Sequence, residues 1–115
     1  MGRNRPRPAP YDGGVVFSFA AKLWVWDARR LDTWVFVTLP VEASDEIRDA
    51  AGGRLRGFGS LRVRVTIGTS VWQTSIFPDK ASGAYVLPLK RAVRAAQALD
   101  VGDTATVGLE LIDLG

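Results

Sequence analysis

The sequence predicts a mainly β fold: a small six-stranded, pseudo-twofold β-barrel built from two strand-strand-helix-strand halves, with two short helices. Three observations carry that expectation. Long runs alternate apolar and polar residues with period two, the signature of strands with one buried face. The order of elements repeats, with Leu39-Pro40 and Leu87-Pro88 offset by 48 and Asp27 and Asp79 offset by 52. The chain has 115 residues, 47% of them hydrophobic, which suits one domain that buries about two-thirds of its unfolded surface. Closing the sheet into a barrel would also remove exposed strand edges.

Residues 1–14 form an Arg/Pro-rich tail, because the alternation of Arg3, Arg5 and Arg7 with Pro6, Pro8 and Pro10 resists helix and sheet. Gly13-Gly14 marks a joint, and residues 15–115 form the single domain. From Val15 to Trp26 the odd positions Val15, Phe17, Phe19, Ala21, Leu23 and Val25 are all apolar, which predicts the first strand. Asp27 to Asp32 turns the chain, and Thr33 to Leu39 returns as a second strand that Pro40 ends. A short helix is expected at 44–51. There Ser44 would cap the free amides, Asp45 and Glu46 would favour the first turn, and Ala43, Ile47, Ala50 and Ala51 would form the inner stripe. Gly52-Gly53 stops it. Ser60 to Ile67 is the cleanest strand, with Leu61, Val63, Val65 and Ile67 inward and Arg62, Arg64 and Thr66 outward.

The second half repeats the pattern. Gly68 to Ser70 makes a tight turn into a strand at 71–77, a loop follows at 78–83, and the next strand covers 84–87. Pro88 is expected to open a second helix with an inner stripe of Leu89, Ala92, Val93, Ala96 and Leu99. Val101-Gly102-Asp103 then leads into a last strand with Ala105, Val107, Leu109 and Leu111 inward.

Composition removes whole classes of chemistry. The chain has no Cys and no His, so disulfides, thiol catalysis and the usual neutral-pH proton shuttle are excluded. A metal would need oxygen ligands alone, and the acids show no EF-hand spacing. No catalytic carboxylate pair stands out, because the helix dipole explains Asp45 and Glu46 and turn capping explains Asp27 and Asp79. We therefore expect a non-enzymatic module with no cofactor. The net charge is +3, yet the first ten residues carry all of it, leaving 12 basic and 12 acidic residues in positions 11–115. The apolar run at 15–21 is cut by Lys22 and preceded by three prolines, so neither a signal peptide nor a membrane span is expected. The expected location is cytoplasmic.

Charge placement is more telling than net charge. Lys90 and Arg91 fall at the start of the second helix, where cations are unfavourable by about 0.3–1 kcal/mol each. Arg94 lies one turn on, and Lys80 one short strand earlier. A small anion or an acidic protein partner bound by Lys80, Lys90, Arg91 and Arg94 would offset this repulsion. A solvated helix face with an acid such as Asp79 nearby is the alternative. Gly57 and Gly59 resemble a phosphate loop only faintly and read better as a tight bend under Phe58. Trp24, Trp26, Trp34 and Trp72, with Arg62 and Arg64, would suit stacking of single-stranded nucleic acid. Parity of Trp34 with Phe36 and of Trp72 with Ile76 favours packing instead. A structural domain forming a homo-oligomer is a third expectation.

Five segments in order resemble a known family: Phe19-Ala20-Ala21-Lys22-Leu23-Trp24, Trp34 to Pro40, Gly57-Phe58-Gly59-Ser60, Thr74 to Lys80, and Tyr85-Val86-Leu87-Pro88-Leu89-Lys90. Together they are similar to the bacterial family called domain of unknown function 1905, over roughly positions 15–112. The Phe-Pro-Asp-Lys loop with the following Leu-Pro-x-Lys is the most specific part. The resemblance implies a small β-barrel with helices and brings no catalytic residue with it. Lys80 and Lys90 are positions of that motif.

Overall fold

Alternation of buried and exposed side chains marks the longest-paired strands of the computed structural model, which describes residues 16–25, 34–51 and 59–112. The elements run β1 (Val16–Lys22), β2 (Trp24–Val25), β3 (Val35–Thr38), α1 (Val41–Ala51), β4 (Leu61–Ile67), β5 (Ser70–Asp79), β6 (Ala84–Pro88), α2 (Arg91–Ala96) and β7 (Thr104–Leu111). All pairings are antiparallel, and the strands form one sheet in the order β1-β7-β4-β5-β6-β3-β2. The inward residues of β4 and β7 are buried as their alternation requires: Leu61, Val63, Val65 and Ile67, then Ala105, Val107, Leu109 and Leu111. They meet Val35, Val37, Ile76, Leu87 and, from α1, Ile47 and Ala51 in one core.

Seven strands, not six, stand among the described residues. The difference lies at Leu23, inside the first expected strand. Its N–H donates to the Asp103 carbonyl and its carbonyl accepts from Gly102 N–H, both at 2.9 Å. The chain therefore leaves β7 at this residue and joins β3 immediately after it. β1 and β2 lie at opposite ends of the sheet order yet are separated by one residue. The sheet must curl to bring those ends together, giving an antiparallel half-barrel with the core on its inner side.

Both helices depart from their expected bounds. α1 begins at Val41, and Ser44 sits within its first turn rather than capping it, with its N–H donating to the Pro40 carbonyl at 2.9 Å. Proline supplies a preset φ at a helix start, and the Ser44 hydroxyl serves β6 instead, accepting from Tyr85 N–H at 3.1 Å. Glu42, not Asp45 or Glu46, is the acid of the first turn. Pro88 closes β6 rather than opening α2. Leu89 N–H donates to the Val35 carbonyl at 2.9 Å, which holds the backbone extended through Lys90 (φ −72°, ψ 158°) and delays the helix. Leu89 and Val93 are buried, whereas Ala92 and Ala96 are exposed, so the expected inner stripe is shorter.

Strand β5 extends through Pro78 and Asp79, which pair with Tyr85 and Ala84. Asp79 then accepts from the backbone and hydroxyl of Ser82 at 3.2 and 2.8 Å, capping the turn. Of the expected Gly-x-Gly bend, Gly59 alone is described, with φ +91°. The Arg/Pro tail, Trp26 and Asp27 lie outside the described residues. No helix among the described residues is long and apolar enough to cross a membrane.

Candidate ligand cleft

Strand β5 is too long for a single neighbour. Ser70 to Ile76 pair with β4, and Phe77 to Asp79 pair with β6. Trp72, Gln73 and Thr74 therefore have a ladder on one side, and on the other side the sheet opens. The opening is a cleft of about 400 Å³. Trp72, Gln73 and Thr74 form one wall, Pro88, Leu89 and Lys90 the facing wall, and Trp34 and Val35 a third side. Arg91 and Arg94 from α2 complete the lining.

Each cation has a distinct placement. Lys90 and Arg91 are exposed, and Arg94 is half-buried with its Nε donating to the Leu89 carbonyl at 3.1 Å. That bond occupies one edge of the guanidinium and leaves the terminal nitrogens for another acceptor. Among the described residues, no carboxylate lies within salt-bridge distance of Lys90, Arg91 or Arg94. Among the described residues the lining includes three cations and no acid. A second hollow of about 330 Å³ shares Arg91 and Arg94 and includes Asp100.

The aromatic side of the cleft is built by strand pairing. Trp24 lies directly across from Phe36, with ring centroids 5.1 Å apart and planes at 29°. Trp34 stacks on Phe36 at 6.2 Å and 17°. Trp24 Nε1 donates to Thr38 Oγ1 at 2.8 Å, which fixes the inner end of this three-ring row. Trp34 at the outer end is 62% exposed. The packing expected from its parity with Phe36 is not in the core: Val35 and Val37 are the buried residues of β3, and Trp34 packs against the Phe36 ring. Trp72 does pack partly against the core, as its parity with Ile76 suggests.

Of the four cations singled out from the sequence, the fold brings Lys90, Arg91 and Arg94 together and leaves Lys80 apart. Lys80 is exposed in the β5–β6 turn, at the far end of a strand that spans about 15 Å, and does not line the cleft. Gln73 and Thr74 are the residues sequence reasoning missed, since nothing local marks where β5 parts from its neighbour. Arg62 and Arg64 do not join the aromatic row: two strands stand between β4 and β3 in the sheet. Arg64 Nη1 also donates to Glu110 Oε1 across the β4–β7 pair at 2.5 Å.

A search of curated proteins finds no match to the chain. A family model described as Domain of unknown function (DUF1905) matches residues 19–109, a span that includes the whole cleft, and the chain belongs to that family.

Proposed function

We propose that this protein is a non-enzymatic binding module whose cleft takes a small anionic ligand. The observation that carries the proposal is the convergence of Lys90, Arg91 and Arg94, with no acid among the described lining residues, on a cleft walled by Trp34 and Trp72. Ligand sites are concave, mostly apolar and oriented by a few polar groups, and this cleft has that character. It replaces the four-residue patch expected from sequence with Lys90, Arg91 and Arg94. An acidic segment of a protein partner has the same charge chemistry and is one arm of the test.

We also read the curled sheet as a closed, pseudo-twofold barrel of six strands, counting β1 and β2 as one bent strand. The pairings support this. Exchanging β1–β2 with β5, β3 with β6 and β4 with β7 turns β1–β7 into β5–β4 and β2–β3 into β5–β6, and leaves β4–β7 and β3–β6 unchanged. In this arrangement the cleft opens where the long strand of the second half passes from one neighbour to the next. A cytoplasmic, bacterial setting fits such a module.

The test is thermal denaturation with inorganic phosphate, phthalate, hexaglutamate and AMP, on the parent protein and on Lys90→Ala/Arg91→Ala. Both side chains are exposed, so the double variant should keep the parent melting temperature. At least one anion is expected to stabilise the parent and to bind the variant at least about tenfold more weakly, since hydrogen bonds to charged groups contribute about 1.5–3 kcal/mol. A parent that none of these anions stabilises overturns the proposal.

A further inference from the structure

Building on the cleft's reading as an anion site, we propose that its ligand is a heteroaromatic phosphate monoester of the size of a mononucleotide. Charge comes first. The described residues of the lining offer three cations and no acid, and a phosphate monoester carries about −1.5 to −2 at neutral pH. A monocarboxylate would leave more of that positive charge unmatched. A phosphate also presents three terminal oxygens, one for each of Lys90, Arg91 and Arg94. Arg94 meets it with its terminal nitrogens, because Nε is held by the Leu89 carbonyl.

The ring of the ligand has its own partner. Trp34 is 62% exposed, stacks on Phe36 at 6.2 Å and lines the cleft, so much of its indole surface is open to a second ring there. The Trp24–Phe36–Trp34 row holds this platform in place, which limits the entropy lost when a ring stacks on it. Gln73 and Thr74 line the same cleft. A carboxamide and a hydroxyl supply both donors and acceptors for the edge of a base or the hydroxyls of a sugar. Size sets the limit. A volume of about 400 Å³ lies near the small end of ligand sites, enough for one ring system with one phosphate.

Equilibrium titrations of the parent, Trp34→Ala and Lys90→Ala/Arg91→Ala with AMP, adenosine and inorganic phosphate test the proposal, read by calorimetry and tryptophan emission. In the parent, AMP is expected to quench emission and to bind at least about tenfold more tightly than either adenosine or phosphate. Trp34→Ala should weaken AMP about 5- to 150-fold, the range of base–aromatic stacking, and leave phosphate unchanged. The double cation variant should bring AMP down to the affinity of adenosine. AMP binding no tighter than phosphate, or unchanged by Trp34→Ala, overturns this inference. If phthalate or hexaglutamate stabilises the parent while AMP does not bind, the anion cleft stands and the nucleotide class falls. A 5′-phosphorylated oligonucleotide that binds more tightly than AMP also overturns it, in favour of a nucleic-acid strand.

Discussion

Ser44 places a hydroxyl where no solvent reaches: it is fully buried, and its Oγ accepts from the Tyr85 N–H of β6. Ser44→Ala leaves that amide buried without its acceptor, at a cost of about 1–3 kcal/mol. Urea denaturation should show a lower midpoint with an unchanged slope, and an unchanged midpoint would refute this role. Tyr85 itself is buried, and burial raises its phenol above the ordinary tyrosine value, while the Arg48 guanidinium opposes that shift from 5.4 Å over the ring. Below pH of about 10 the phenol is neutral in both folded and unfolded chains, so it adds no pH dependence. Above that pH the unfolded chain releases the proton and the folded chain holds it, so stability falls as pH rises. Tyrosinate difference absorbance on Tyr11→Phe should show Tyr85 titrating late, and later still when Arg48→Met removes the opposing charge. Sequence reasoning gave Ser44 a helix cap and Tyr85 no role, because the roles of both depend on a contact between α1 and β6.

At the scale of elements, the β4–β5 hairpin is tied to α2 through Gln97. Its Nε2 donates to Thr69 Oγ1 at 3.2 Å and to Ser70 Oγ at 3.0 Å. Gly68 adopts φ +59°, and a Cβ there would fall 2.0 Å from Gln97 Oε1. Gly68→Ala therefore combines a left-handed backbone cost of about 1–2 kcal/mol with displacement of the tether. In a double-mutant cycle, Gln97→Ala should recover the steric part and not the backbone part; additive effects would show that the side chain simply moves aside. The turn was legible from Gly68 between two alternating runs, and β4 and β7 from their inward valines and leucines. Helix bounds were not. Leu89 N–H reaches the Val35 carbonyl, and this long-range bond keeps Pro88 and Lys90 extended where local preference suggests a helix.

Across the whole molecule, the decisive features are the two places where a strand changes neighbours. At Leu23 the chain passes from β7 to β3 with its backbone bonded to Asp103 and Gly102. On β5, pairing passes from β4 to β6 after Ile76, and there the sheet parts into the cleft. By itself the sequence determined the strand-rich class, the buried faces, the balanced charge outside the tail and the family motifs, since each depends on residue type and spacing along one segment. Its cation cluster was legible only where the residues were near neighbours: Lys90, Arg91 and Arg94 follow one another into α2 and stay together. Lys80 is ten residues from Lys90 in the sequence, and β6 turns that separation into opposite ends of a strand. Tertiary structure alone decided that Trp34 and Trp72 stand beside those cations, because hydrogen bonding between distant strands sets which residues face one another across a gap.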